Sequence, residues 1–256
     1  MSDVVTVTIE GAIATVTLNR PEARNALNDE MRKRLTEVVT ELDQNEVLRV
    51  VILKGAGAAF SAGADIRQGS DKKSSDLLLN HYRPSIDGIA NSPKVWIAQL
   101  HGATAGISAA IAQSCDLVTM AEDAFIYMAF SKIALVPDGG NTWLLLQKMG
   151  YQKAFELITL GGRLSASECQ DLGLANLVAL EAELDTQTRD LASRMAATPP
   201  LATMAAKRIL RSIGASELAA TYEMEAMAQD TLRASKDHAE GIAAFKENRV
   251  PIFKGN

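Results

Sequence analysis

Two glycine-bearing turns carry the residue types from which chemistry can be built. The stretch AFSAGADI, residues 59–66, follows an apolar run and precedes a polar, charged one. It sets small residues where a core wants bulk and a surface wants charge. Such a turn lets bare backbone N–H groups approach a partner closely, and Gly63 allows backbone angles closed to other residues. The second turn, VPDGG at residues 136–140, holds one carboxylate, Asp138. A carboxylate can move a proton as a general base, yet Pro-Asp-Gly is also a common turn in which aspartate bonds its own backbone. Between the two turns, ATAGISAAIAQSCD reads as a helix of very small residues, on which something packs closely. The histidines form no constellation. His81, beside Tyr82 and Arg83, reads as a solvated helix residue; His101 reads as packed against its turn, and His238 as surface. Cys115 and Cys169 offer neither a disulfide framework nor metal-ligand spacing, and Cys115 reads as a small buried apolar residue.

Elements able to hold these turns are legible on both sides of them. VVTVTIEGAIATVTLNRP alternates around Glu10 and Gly11, predicting a β-hairpin. Leu27, Met31, Leu35 and Val38 recur at helical spacing, with Asn28 or Asp29 as the cap. LRVVILKG and KVWIAQLHG read as buried strands, and LVTMAEDAFIYM as one or two more. IRQGSDKKSSDLLLNHYRPS reads as a polar, mobile loop leading into a helix. From Thr142 the pattern is mainly helical, broken at residues 161–162, 171–173 and 198–200. An α/β core over residues 1–197 with a helical region over 198–256 is the expectation. In that tail, Tyr222, Met224 and Met227 provide apolar positions beyond those one helix face requires.

The composition narrows the class further. Apolar residues make up 47% of the 256 and charged residues 22%, ordinary for a chain that buries a sizeable core. A net charge of −5 speaks against a nucleic-acid surface. The opening MSDVVTVTIEG carries acids where a signal peptide needs cations, and no run reaches the roughly 18–20 apolar residues of a membrane span. A reduced, cytoplasmic setting is expected.

NRPEARNALN, AFSAGADI, HGATAGISAAIAQSCDL, FSKIALVPDGGNTWLL, GGRLSASECQDLGLAN and AAFKENRVPIFKG occur in an order that resembles the crotonase, or enoyl-CoA hydratase/isomerase, superfamily from end to end. YRPSI and FSKIALVPDGGNTWLL resemble its isomerase-like branch, which includes the ring-epoxide isomerase of phenylacetate breakdown. The resemblance implies an α/β spiral of β-β-α units with a C-terminal helical trimerisation region. It also implies a homotrimer or dimer of trimers that takes acyl-CoA thioesters, with coenzyme A as part of the substrate and no separate cofactor or metal.

By that resemblance the backbone N–H groups of Ala64 and Ile107 form an oxyanion hole for the thioester oxygen. Losing one such donor costs about 2.7–4 kcal/mol in well-studied enzymes. Ile107 departs from the family's usual glycine; it keeps its N–H but cannot take glycine-only angles cheaply. The two glutamates with which hydratases of the superfamily split water correspond here to Ala110 and Phe130, neither of which moves a proton. Asp138 falls where isomerase-like members carry a single carboxylate, with Phe130, Val136 and Trp143 as expected apolar neighbours. The expected activity is a 3-enoyl-CoA to 2-enoyl-CoA shift, or a related shift on a ring acyl-CoA. The alternatives are a hydratase with an atypical catalytic set and a crotonase-like acyl-CoA-binding scaffold without catalysis. For the coenzyme A moiety the resemblance points to Ala23, Arg24, Ala62, Ala64, Asp65 and Ile66, with Lys246 or Lys254 meeting a phosphate.

Overall fold

Alternating residues on either side of Glu10 and Gly11 form the expected hairpin. β1 (Val5–Glu10) runs antiparallel to β2 (Ile13–Leu18), with Glu10 opposite Ile13. The computed structural model of the chain describes residues 3–68 and 72–256. α1 (Asp29–Asp43) begins where Asn28 accepts a 2.9 Å hydrogen bond from Met31 N–H, a cap worth about 1 kcal/mol. It buries Met31, Leu35, Val38, Val39 and Leu42 against the sheet, at about 1.5–3 kcal/mol for each large side chain.

Continuous apolar runs become central parallel strands because both of their faces are covered. β3 (Val50–Gly55) pairs with β2 on one side and with β4 (Val95–Leu100) on the other, both in parallel. Between β3 and β4 the chain forms α2 (Ser74–Asp76), a π-helical turn over Leu77–Tyr82, and α3 (Arg83–Asn91). The segment expected as a loop is therefore helical from Ser74; the part of that expectation at residues 69–71 lies outside the described residues. The first three residues of the expected small-residue helix are instead β5 (Ala103–Ala105), and α4 spans Ile107–Ser114. β6 (Leu117–Ala121) and β7 (Phe125–Tyr127) resolve the stretch left open as one or two strands.

The remainder is α5 (Asn141–Leu160), β8 (Arg163–Ser165), α6 (Ala166–Asp171), β9 (Leu177–Ala179), α7 (Glu181–Ala196), α8 (Pro200–Ser212), α9 (Ala215–Arg233) and α10 (Lys236–Glu247). β8 and β9 interrupt what the sequence suggests is mainly helical. Each has three residues, too few to display a period. The breaks at 161–162, 171–173 and 198–200 fall at junctions between elements, the second starting on the last residue of α6 and the third ending on the first residue of α8.

The main sheet has the order β1-β2-β3-β4-β6-β9, and a second sheet has the order β5-β7-β8. A bridge between Ser61 and Thr104 extends the second layer toward the 59–66 turn. The chain therefore repeats one path: a main-sheet strand, a short step into the second layer, then a helix. β3, β4 and β6 each begin such a unit, and their ends deliver the 59–66 turn, the start of α4 and the 136–140 turn to one region. No helix among the described residues is long and apolar enough to cross a membrane.

Candidate active site

Asn25 builds the first turn. Fully buried, it donates from Nδ2 to the carbonyls of Ala56 and Ala59, both at 2.8 Å, and accepts from Arg20 N–H at 2.9 Å. Ser61 Oγ donates to the Asn25 carbonyl at 2.8 Å and accepts from Gly63 N–H at 3.2 Å. Ala62 N–H donates to the Arg24 carbonyl, while Leu27 N–H donates to Gly63 and Asp65 N–H donates to Leu27. The 20–27 and 59–66 stretches are thus laced together, bringing Ala23, Arg24, Ala62, Ala64, Asp65 and Ile66 onto one rim. Asp65 secures its turn by accepting from Arg67 N–H at 3.2 Å and pairs with Arg20 Nη1 at 3.0 Å. Lys246 is exposed on α10, a helix that packs on residues 129–133 and on α9, and among the described residues no hydrogen bond or ion pair joins it to this rim.

Gly63 is required by contact as well as by angle. At φ +89° it lies so close to β5 that a β-carbon would stand 2.6 Å from the Ala105 carbonyl oxygen. This approach sets Ala64 beside Gly106 and Ile107. Gly106, at φ 58° and ψ −132°, takes the glycine-only conformation, which leaves Ile107 as the ordinary first residue of α4. The departure from the family pattern therefore carries no backbone strain. Neither Ala64 N–H nor Ile107 N–H has an acceptor among the described residues. Two open donors thus sit on adjoining turns, one of them at a helix N-terminus. Ser108 Oγ ties the turns by donating to the carbonyls of Ser61 at 3.1 Å and Ala105 at 2.7 Å.

The Asp138 carboxyl takes a hydrogen bond from its own main chain, which opposes the rise in its pKa, but the N–H groups of the residues that follow go to another acid. Gly140 N–H and Thr142 N–H donate to Glu225, at 2.7 Å and 3.0 Å, and Thr142 Oγ1 also donates to that carboxylate. Asn141 Nδ2 donates to the Asp138 main-chain carbonyl at 2.9 Å and to the Gly106 carbonyl at 3.3 Å. Asp138 Oδ2 meets Gln229 Nε2 at a long 3.5 Å, and Oδ1 is buried with no partner. Gly139 packs so tightly that a β-carbon there would stand 2.5 Å from Ile107 Cδ1, 2.8 Å from Ala110 Cβ and 3.3 Å from Ile86 Cδ1. Asp138 is thereby held against the start of α4. The Phe130 ring lies over Gly106, its Cζ 3.7 Å from where a β-carbon would be.

Burial pushes the Asp138 carboxyl well above the usual range, and the charge of Glu225 pushes it further. Glu225 is also raised by burial, but its three hydrogen-bond donors oppose the shift. Tyr82, one helical turn before Ile86, accepts from Arg32 Nη1 at 3.0 Å, and that guanidinium lies 4.7 Å from its ring centroid. Its hydroxyl is pushed up to about 12, chiefly by burial, and the Asp138 charge contributes in the same direction.

Trp143, at the start of α5, also packs on the tail. Its ring packs on Gly214, reaching 2.7 Å from that residue's would-be β-carbon. His238 is half-buried rather than surface, bonding the Ile133 carbonyl at 2.7 Å. His101 bonds Gly57 at 2.8 Å, as its turn position suggests, and His81 lies beside Asp76 at 3.6 Å, partly exposed. Sequence reasoning missed Glu225, Gln229, Tyr82, Arg32 and Asn25. None of these left a clear signal: the buried face of α9 carries Thr221, Glu225 and Gln229 beside Tyr222 and Ala226, so no apolar stripe sets its polar members apart. Two clefts of about 70 and 240 Å³ meet at Pro93, and none of the site residues above lines either one.

Adjoining open amides beside one buried carboxyl, on a spiral of β-β-α units, define an enzyme of the crotonase fold. A family model for enoyl-CoA hydratase/isomerase matches residues 8–256, and the chain belongs to that family, whose members act on acyl-CoA thioesters. The chain is 38% identical over 247 residues to the putative enoyl-CoA hydratase/isomerase YhaR of Bacillus subtilis strain 168, covering 95% of this chain and 96% of that protein. It is 33% identical over 253 residues to the 1,2-epoxyphenylacetyl-CoA isomerase of Escherichia coli K12, covering 96% and 97%. The crystal structure of an enoyl-CoA hydratase from Mycobacterium avium subsp. paratuberculosis K-10 matches with a TM-score of 0.89 at 29% identity, covering 98% of each chain.

Proposed function

We propose that the protein is an acyl-CoA isomerase that moves a double bond from the 3 to the 2 position, or makes the equivalent shift on a ring acyl-CoA. Asp138 takes a proton from C2, the thioester oxygen gathers the resulting negative charge, and the same carboxyl returns the proton at C4. The Ala64 and Ile107 N–H groups hold that oxygen in a site walled by Ile86, Ala110 and Phe130. The proton transfers balance with Asp138 alone, so the reaction needs no cofactor beyond the coenzyme A of the substrate. Ala23, Arg24, Ala62, Ala64, Asp65 and Ile66 receive the coenzyme A portion, with Lys246 reaching a phosphate from a neighbouring subunit.

The observation that carries this reading is the unpartnered Oδ1 of Asp138, on a turn that Glu225 holds in its place. Ala110 and Phe130 stand where the hydratase glutamates would be, which disfavours the two-carboxylate addition of water. Oligomerisation through the tail is part of the reading. Leu201, Ile209, Leu210, Ile213, Met224 and Met227 are all exposed on α8, α9 and the link between them, as a trimer or pair of trimers would use. The two free, buried thiols fit a cytoplasmic setting.

Two substrates test the activity. A 3-enoyl-CoA should gain the absorbance of the conjugated thioester, while crotonyl-CoA should keep it. Loss of that absorbance from crotonyl-CoA, with no change in the 3-enoyl ester, would establish a hydratase instead. Tight binding of a saturated acyl-CoA without exchange of its α-protons in heavy water would establish a scaffold.

A further inference from the structure

We propose that Glu225 is a positioning residue for Asp138: from α9 its carboxylate fixes the 139–142 turn and keeps a negative charge beside the acid, so that Asp138 carries the exchangeable proton. The proposal deepens the isomerase reading and rests on it.

The two carboxyls have opposite surroundings. Glu225 is buried and accepts from Gly140 N–H at 2.7 Å, from Thr142 N–H at 3.0 Å and from the Thr142 hydroxyl. Three donors favour its ionised form. Asp138 has one oxygen without a partner and the other 3.5 Å from Gln229 Nε2, whose better bond goes to the Val136 carbonyl at 2.6 Å. Like charges in one buried place cannot both ionise freely, and the proton goes to the member with fewer donors. That makes Asp138 a stronger base than a solvated carboxylate, as removal of a thioester α-proton requires.

Other charged groups around the pair act through intermediaries. From the Leu77–Tyr82 turn, Tyr82 faces Asp138, with Arg32 bonded to its hydroxyl and Asp29 paired to Arg32 behind it. On α9, Tyr222 lies near Glu225 with Arg83 4.9 Å from its ring centroid, and Asp87 and Arg211 also bear on it. α4 brings Ile107 and Ala110 against Gly139, and the 129–133 turn brings Phe130 over Gly106.

The test is a carbon-13 NMR titration of protein labelled at aspartate and glutamate carboxyls, with Asp138 and Glu225 assigned through Asp138→Asn and Glu225→Gln. In the unaltered protein Asp138 should titrate above both Glu225 and an ordinary aspartate. Glu225→Gln removes the charge and keeps one of the two acceptor oxygens, enough for the Thr142 N–H and hydroxyl but not for Gly140 N–H, and should lower the Asp138 midpoint by about one pH unit or more. An unmoved midpoint overturns the proposal. So does Glu225 titrating above Asp138, an order that the unaltered protein reveals even if the variant does not fold. The acid limb of kcat/KM for 3-enoyl-CoA should move with the NMR midpoint. A limb that stays in place while the midpoint moves counts against the isomerase reading and leaves the pairing intact.

Discussion

Gly140 N–H donates to Glu225 Oε2 at 2.7 Å across 85 positions of sequence. A Pro-Asp-Gly turn would ordinarily use its own aspartate for this task. With the task given to Glu225, Asp138 Oδ1 is left without a partner, and the adjoining Gly139 packs against Ile86, Ile107 and Ala110.

Replacing Asp138 by Asn should lower isomerase turnover about 10²–10⁴-fold, the usual contribution of a general base. Isothermal titration with a saturated acyl-CoA should give a Kd within a few-fold of the unaltered protein, because the rim at Ala23, Arg24 and residues 62–66 is untouched.

The same substitution should raise stability at alkaline pH. The folded protein holds the Asp138 proton more tightly than the unfolded chain does. Between the unfolded value of about 4 and the raised folded value, folding takes up a proton, so this group's contribution falls as pH rises. Asp138→Asn removes that dependence. Its thermal midpoint should match the unaltered protein near pH 4 and exceed it at pH 8. A gain of about 1–3 kcal/mol, from relieving an unsatisfied buried group, corresponds to a few degrees. Equal midpoints at both pH values would contradict the burial of this carboxylate.

Ile107→Pro isolates one N–H group. Proline is tolerated at the first position of a helix, where the N–H has no intrahelical partner. The variant should fold and lose about 10²–10³-fold in kcat, as expected for one oxyanion donor. Ile107→Ala is the control: it keeps the N–H and loses buried packing, at about 2–5 kcal/mol. Its chemical denaturation midpoint should fall while it retains far more kcat than the proline variant.

Gly63→Ala should disable the site through geometry. Its β-carbon would stand 2.6 Å from the Ala105 carbonyl, at a φ that alanine rarely adopts. The two turns must separate, so kcat/KM should fall at least tenfold, with a stability loss of about 1–3 kcal/mol. A fully active Gly63→Ala variant would show that Ala64 and Ile107 do not act together.

The fold was legible where periodicity had room to act. The hairpin, α1 with its Asn28 cap, β3 and β4 all follow from alternation, helical spacing or continuous apolar runs. The three-residue strands β5, β8 and β9 did not, because pairing within the sheets defines them rather than their own composition. At the site, AFSAGADI and VPDGG drew attention through small residues and a lone acid. Glu225 could not be foreseen as their partner, since a single acid on a helix normally reads as solvated until tertiary structure places it. The anomaly at Ile107 dissolves one residue earlier, where Gly106 takes the unusual angles.

Because α9 carries both Glu225 and Gln229, the ribosome releases Asp138 long before it releases the groups that shape its surroundings. A nascent chain, or one clipped between α8 and α9, has the acid and both amides but leaves Gly140 and Thr142 without their acceptor. The 139–142 turn therefore finds its acceptor only once α9 has docked, and removing α9 would unpair Gly140 and Thr142 without touching Asp138 itself.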